Sequence, residues 1–439
     1  MRCSDPPGPQ LTCAADRKRT DLYRDRVVSA DMAMTRISNA TSLFVHSGCG
    51  EPQTLVESLV ANRGIWRGLR ILTGLQGAAG AYTDPRYAEH FRPELFMVNR
   101  AAAAGLEQGT ASYVPCGLSE IPALISRDGV DVAFIQVSPP NRQGYCTLGV
   151  TVAYTKAALS VARLVVAEVN ERMPRTCGDT IVHESELDLI VESDRPVLEV
   201  TAGKVTTDLS MIGSAVVGLI PDRASVQVGI GAAAESAWTY LAQRPELHIH
   251  TGSISDAAIP TIDAQAATGG PVIASQLIGS SKLYEYAHEN PDIELHQVGR
   301  THDPRHLGTI DRFVAINSAL EVDLRGQANS EMLGGRQVSA GGGAVDFGMG
   351  SFLSRGGFSV IALASTTSRG SSRIVPRLTD GVVTLPSALV DFVVTEQGIA
   401  DLRGRSLDER AQALVCVAAP QHREELSADR ARPPVPKSS

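Results

Sequence analysis

Two glycine-rich stretches and one strand end carry the residues of this chain whose types and spacing suggest chemistry. Val226-Gln227-Val228-Gly229-Ile230-Gly231-Ala232-Ala233-Ala234 reads as a strand, a tight turn and the start of a helix. Glycine at 229 and 231 permits positive φ and lets a ligand approach bare backbone, and the first helical N–H groups favour a phosphate or carboxylate. A βα turn that binds nothing has the same pattern, because Gly-x-Gly-x-x-Ala alone has low specificity. A dinucleotide fold also needs an acid about 20 residues on, at the end of the next strand. That strand, residues 247–251, ends at Gly252, which argues against NAD and an oxidoreductase.

The second stretch, Ser339-Ala340-Gly341-Gly342-Gly343-Ala344-Val345-Asp346-Phe347, holds three consecutive glycines. Each costs about 0.5–1 kcal/mol relative to Ala within regular structure. Either a loop moves there or a ligand lies against the backbone. Other templates fail: there is no Gly-x-Ser-x-Gly elbow and no Gly-x-x-x-x-Gly-Lys phosphate loop. His302-Asp303-Pro304-Arg305-His306 has helical ligand spacing, but Pro304 breaks that helix, so the segment reads as a surface loop and no metal is expected. His248 and His250 share one strand face and read as structural, and Glu184, Glu186 and Asp188 read as a solvated edge.

The elements that must position these stretches follow from hydrophobic runs. Residues 42–46, 70–73, 132–137, 161–167, 225–228, 248–251, 313–316 and 359–363 fit buried strands, and helical windows at 52–62 and 232–243 follow two of them. Strand alternating with helix implies parallel α/β layers. There is also an internal echo. Ser47-Gly48-Cys49-Gly50 returns as Val228-Gly229-Ile230-Gly231 181 positions later, and Ile71-Leu72-Thr73-Gly74 as Ile249-His250-Thr251-Gly252 178 positions later. Gln136-Val137-Ser138 returns as Ile316-Asn317-Ser318 180 positions later. Three matches in one order at nearly one offset point to two similar open α/β/α domains, an internal duplication joined near residues 197–214, with a ligand cleft between them.

The chain has 439 residues, 40 Lys+Arg against 48 Asp+Glu, and a net charge of −8 with no basic block, which disfavours a nucleic-acid partner. Its seven cysteines are scattered without a Cys-x-x-Cys pair, as neither a disulfide scaffold nor a zinc ribbon would be. No signal peptide or membrane-length apolar run is visible, so a cytoplasmic protein without membrane contact is expected. Residues 1–20 and 427–439 read as mobile tails around domains at 21–200 and 201–426.

From about Tyr23 to Leu426 the chain resembles the acetyl-CoA hydrolase/transferase family, which includes 4-hydroxybutyrate CoA-transferases. The resemblance rests on Ser138-Pro-Pro-Asn-Arg-Gln-Gly-Tyr-Cys-Thr-Leu-Gly149, Glu168-Val-Asn-Glu-Arg-Met-Pro174 and Gln227-Val-Gly-Ile-Gly231. It continues through Ile316-Asn-Ser-Ala-Leu-Glu-Val-Asp-Leu324, Gly342-Gly-Ala-Val-Asp-Phe347, Ser372-Arg-Ile-Val-Pro376 and Val393-Val-Thr-Glu-Gln-Gly-Ile-Ala-Asp-Leu-Arg-Gly404. It implies a homodimer or larger homo-oligomer that moves coenzyme A between small carboxylic acids or hydrolyses the thioester. No metal or permanently bound cofactor is implied, with acyl-CoA as the substrate. The CoA-binding residues implied are Gly229, Ile230, Gly231, Ala232, Ala233 and Asn317, with Gly341, Gly342 and Gly343 near the thioester.

The resemblance further implies a glutamate nucleophile that passes through an anhydride to a glutamyl-CoA thioester. Its motif is His-Thr-Glu, an apolar pair, then Ser-Asp-Gly. Here the segment is His250-Thr251-Gly252-Ser253-Ile254-Ser255-Asp256-Ala257, with glycine at the nucleophile position. Ser253, Ser255 and Asp256 are the adjacent candidates for a replacement role, Glu396 in the Val-Val-Thr-Glu segment is a candidate base if it faces the cleft, and turn or helix capping is the alternative for each. Thr384-Leu-Pro-Ser-Ala-Leu-Val390 lacks an arginine common in the family, and Asn141 stands where Asp is common. Thioester hydrolysis, action on an unusual acyl-CoA and a catalytically silent CoA-binding paralogue all remain open.

Overall fold

A computed structural model describes residues 23–77, 81–201, 203, 206–266, 270–378 and 380–430. Near-continuous apolar runs such as Val130–Val137 make strands that burial on both faces requires. The first sheet contains β1 (Ser42–Val45), β2 (Leu69–Thr73), β3 (Phe91–Leu95), β4 (Ser112–Tyr113), β5 (Val130–Val137), β6 (Ala162–Asn170) and β7 (Leu189–Ser193). Its order is β7-β6-β5-β1-β2-β3-β4, parallel throughout.

The second sheet contains β8 (Ser225–Val228), β9 (His248–Ile249), β10 (Phe313–Ser318), β11 (Phe358–Ala362), β12 (Phe392–Thr395) and β13 (Gly398–Asp401). Its order is β9-β8-β10-β11-β12-β13, and β13 alone is antiparallel to its neighbour. Read from β12 to β9, this order repeats that of β7 to β2, so the echo in sequence is an echo in topology. One buried core joins the layers: Ile135, Val137 and Ala167 of the first sheet belong to the same cluster as Val226, Ile316 and Val360 of the second, with Trp238 among them.

All eight expected strands are present, within a few residues at their ends. Helix α1 (Gln53–Ala61) lies inside its expected window, whereas the window at 232–243 holds two short pieces, α2 (Ala232–Glu235) and α3 (Trp238–Leu241). The interruption falls where Ser236 Oγ donates to Ala233 O at 2.6 Å. There the backbone also takes the bare face of Gly213, whose Cβ would stand 2.4 Å from Ser236 O.

Glu184 is buried, contrary to the solvated-edge expectation, and Asp188 accepts from Val165 N at 2.7 Å. The tail expected from residue 427 begins as the end of a helix spanning Arg423–Arg430; the rest of that tail, and the tail at 1–20, lie outside the described residues. Among the described residues, no helix is long and apolar enough to cross a membrane.

Candidate functional site

A cavity of about 660 Å³ opens between the two halves, within the usual range for small-ligand sites. It is lined by both glycine stretches, by Asn317 and by the strand end at Gly252 and Ser253.

The first glycine turn is shaped by its neighbours. Register pairs Val228 with Ile316, so Gly229 N donates to Ile316 O at 2.7 Å. A Cβ at 229 would stand 2.9 Å from that oxygen and 2.8 Å from Asn317 Oδ1. Gly231 has φ +134, a conformation L side chains rarely adopt, and it starts α2. Ser318 Oγ accepts from Ala234 N at 3.1 Å. With only four residues in α2, its dipole is weaker than the expected long helix would give. Gln227 and Asn317 side chains meet at 3.4 Å, and buried Gln227 Oε1 and Asn317 Nδ2 have no partner. Both residues face the cavity, so a ligand with a donor and an acceptor satisfies them.

Helix α4 spans Val298–Thr301, and the second stretch, Gly341–Gly343, precedes α5 (Ala344–Leu353). Gly342 has φ +56, and Gly341 N donates to the Tyr113 hydroxyl at 3.3 Å. Tyr113 donates to Glu331, which also accepts from Thr384 Oγ1 at 2.9 Å. Thr384, where the resemblance raised the question of a missing arginine, therefore anchors the loop's support.

The strand end is rigid. Thr251 Oγ1 donates to Val228 O at 2.9 Å, and Gly252 O accepts from Ser275 N at 3.0 Å and Ser275 Oγ at 2.7 Å. No side chain extends from 252 into the cavity. A Cβ there would meet His302 Nε2 at 2.9 Å and Phe347 at 3.4 Å. In the first half, Gly74 occupies the equivalent place, and its bare face is covered by Tyr154, whose hydroxyl oxygen would be 1.5 Å from a Cβ.

The sequence candidates separate cleanly. Ser253 lines the cavity and accepts from Gln276 Nε2 at 3.0 Å. Ser255 and Asp256 do not line it; Asp256 accepts from Ser280 N at 2.9 Å and from Ser280 Oγ, a turn-capping role. Glu396 also lies outside, accepting from Ser365 N and Ser365 Oγ. Burial pushes its carboxyl up, but the Ser365 donors outweigh this and hold it below its ordinary value. Among the described residues, no Asp or Glu lines the cavity, and Arg373 is the only Lys or Arg that does.

The surface-loop reading of His302 is corrected. The helix stops at Thr301 and Pro304 opens a further short helix, Pro304–Leu307, yet His302, the residue capping α4, is buried and lines the cavity. Its ring packs on Phe347 with centroids 4.6 Å apart, and its Nδ1 lies 2.8 Å from Thr301 Oγ1. Burial, with neighbouring His250, pushes its pKa down to about 3, so the ring is neutral. His250 is itself buried and pushed down to about 4, chiefly by burial and then by His306. Local sequence did not reveal His302, because its cover comes from Phe347, far along the chain. Arg373 belonged to a recognised motif without a role. Among the described residues, no group of three or more His, Cys, Asp or Glu is placed to hold a metal.

Comparison with known proteins agrees with this architecture. The chain matches the acetyl-CoA hydrolase/transferase N-terminal domain over residues 12–201 and the corresponding C-terminal domain over residues 279–430. It is 39% identical over 417 residues to the 4-hydroxybutyrate coenzyme A transferase of Clostridium kluyveri, covering 92% of this chain and 97% of the relative. It is 36% identical over 424 residues to the succinyl-CoA:cyclohexane-1-carboxylate CoA transferase of Geobacter metallireducens, covering 94% and 97%. The crystal structure of RipA from Yersinia pestis superposes with a TM-score of 0.89 at 30% identity, over 93% of this chain and 98% of that one. The 4-hydroxybutyrate CoA-transferase of Porphyromonas gingivalis gives 0.78 at 33% identity, with the same coverage. Two matched domains, a relative similar along nearly its whole length and one shared two-domain fold make this chain a member of the acetyl-CoA hydrolase/transferase family.

Proposed function

We propose that the chain binds acyl-CoA in this cavity and hydrolyses its thioester, without passing CoA to an acceptor acid through an enzyme-bound glutamyl thioester. The carrying observation is a cavity bordered by both glycine loops in which position 252 is glycine and, among the described residues, no carboxylate lines the wall. In this reading Gly229, Ile230, Gly231, Ala232 and Ala233 receive the CoA phosphates, with Arg373 as the lining cation. Gln227 and Asn317 meet the amides of the pantetheine arm, and Gly341, Gly342 and Gly343 border the thioester. Backbone N–H groups aimed at a developing oxyanion stabilise it without a nucleophilic side chain, by several kcal/mol in comparable sites.

Ser253 faces the cavity, but its hydroxyl partner is the Gln276 amide, which cannot take a proton. Water is therefore the nucleophile. The products are a small carboxylic acid and CoA. A homodimeric or larger assembly is what the family resemblance implies. The second reading is a catalytically silent CoA-binding protein, favoured by the same bare Gly252.

The test is to incubate the full chain with a panel of short acyl-CoAs, with and without acetate, following free thiol and new acyl-CoA. Thiol release without acetate-dependent exchange is expected. Rapid exchange with a CoA adduct trapped on another side chain refutes the hydrolytic reading, and CoA binding without turnover of any thioester establishes the silent one.

A further inference from the structure

The covalent scheme implied by family resemblance has no role for His302, yet its imidazole stands where that scheme's carboxylate would begin. A Cβ on Gly252 would lie 2.9 Å from His302 Nε2, and one on Gly343 would lie 3.0 Å from it. The ring thus fits between the strand end and the second glycine loop only because both positions are bare. It is held there by His302 N donating to Val298 O at 2.8 Å, by Phe347 against its face, and by Thr301 Oγ1 at Nδ1. Thr301 Oγ1 also lies 3.4 Å from Gln297 O, which can only accept. When the hydroxyl donates to that carbonyl it accepts from Nδ1–H, and the Nε2 lone pair then faces Gly252 and the cavity.

We propose that His302 is the general base of the hydrolysis, with Nε2 withdrawing a proton from the water that attacks the acyl carbonyl beside Gly252. The proposal rests on the hydrolytic reading above. The water oxygen forms a bond to the carbonyl carbon, and the π pair moves to oxygen. When this tetrahedral oxyanion collapses, the C–S bond breaks and the sulfur leaves with the bonding pair. The imidazolium returns its proton to the thiolate. Acyl-CoA and water give carboxylic acid and CoA thiol.

The cavity explains how the ring waits in its neutral form. Burial is the main cause and His250, also neutral, is the other titratable group acting on it; among the described residues no lining carboxylate is present to stabilise an imidazolium. The tetrahedral oxyanion supplies that missing counter-charge, so the ring becomes a stronger base as the transition state forms.

The test uses the full chain. His302→Gln is expected to lower kcat by about 10²–10⁴-fold, while affinity for a non-hydrolysable S-alkyl thioether of CoA stays within about threefold. Wild-type kcat/KM is expected to be flat between about pH 5 and pH 8, because the free ring is already unprotonated there. Thr301→Val keeps the ring in its packing but removes the oxygen that orients it, and a loss of about tenfold in kcat is expected. Undiminished hydrolysis by His302→Gln overturns the base assignment and leaves the hydrolytic reading standing. A wild-type rate that climbs about tenfold per pH unit also overturns it, because free hydroxide is then the nucleophile. Absence of hydrolysis in the wild-type chain overturns both.

Discussion

Restoring a carboxylate at position 252 asks whether the site has lost one side chain or has been rebuilt around its loss. In Gly252→Glu the new Cβ lies 2.9 Å from His302 Nε2 and 3.4 Å from Phe347, so the imidazole has to move. Moving it disturbs a neutral hydrogen bond to Thr301 and a tilted aromatic pair with Phe347; together these are worth roughly 1–3 kcal/mol. Overpacking of a close-packed wall adds about 1–3 kcal/mol. The single variant should therefore lose about 2–6 kcal/mol of stability and show little acetate exchange. Gly252→Glu/His302→Ala removes the obstruction and should recover about half of that loss, with more exchange than the single variant. Urea unfolding gives the stabilities, and incorporation of labelled acetate into acetyl-CoA gives the exchange. The reasoning fails if the two substitutions act additively, or if Gly252→Glu alone is as stable as the parent and exchanges rapidly.

Arg373→Gln removes the only lining Lys or Arg among the described residues. It should weaken CoA about tenfold while leaving phosphate-free pantetheine nearly unaffected, and calorimetric titration showing equal losses would place Arg373 away from the phosphates. Gly229→Ala sets a methyl 2.9 Å from the Ile316 backbone oxygen, which has little freedom to retreat; a destabilisation of about 1–3 kcal/mol in urea is expected, and an unchanged midpoint would contradict it. Asp346 accepts from Ser119 N and Oγ, but burial raises its carboxyl from 3.8 to about 6. The native state then binds more protons than the unfolded state between those values, so this group's contribution falls as pH rises through them and is level above. Asp346→Asn should match the parent near pH 4 and exceed its stability near pH 7 by on the order of 2–3 kcal/mol; parallel unfolding curves at the two pH values check this.

Both sheets were legible where strands are apolar runs next to glycine turns, and the duplicated strand order could be anticipated from three short echoes. Strand β3 was harder because it contains Pro93, which offers no N–H to a ladder. It fits because the β4 pairing reaches only Glu94 and Leu95, leaving Pro93 on an open edge there. The glycine loops were also legible, since bare backbone beside a helix start is a local signal. Asp256 was plausible by type and proximity in sequence and Glu396 as a base in a family segment, but their partners Ser280 and Ser365 turn them into structural acceptors. His302 lay beyond local reading because its burial depends on Gly252, Gly343 and Phe347 together. The available signal was volumetric: a glycine at a position expected to carry a long side chain leaves space that a close-packed interior must fill from elsewhere.

Gly74 and Gly252 occupy matching places in the two halves, but Tyr154 covers the first, whereas the second lies on the cavity wall beside His302. Of these two matching strand ends, only the second borders the cavity among the described residues. The chain should consequently saturate with a single equivalent of acyl-CoA. The sealed half is then free to serve as a fixed wall against which the working half is held.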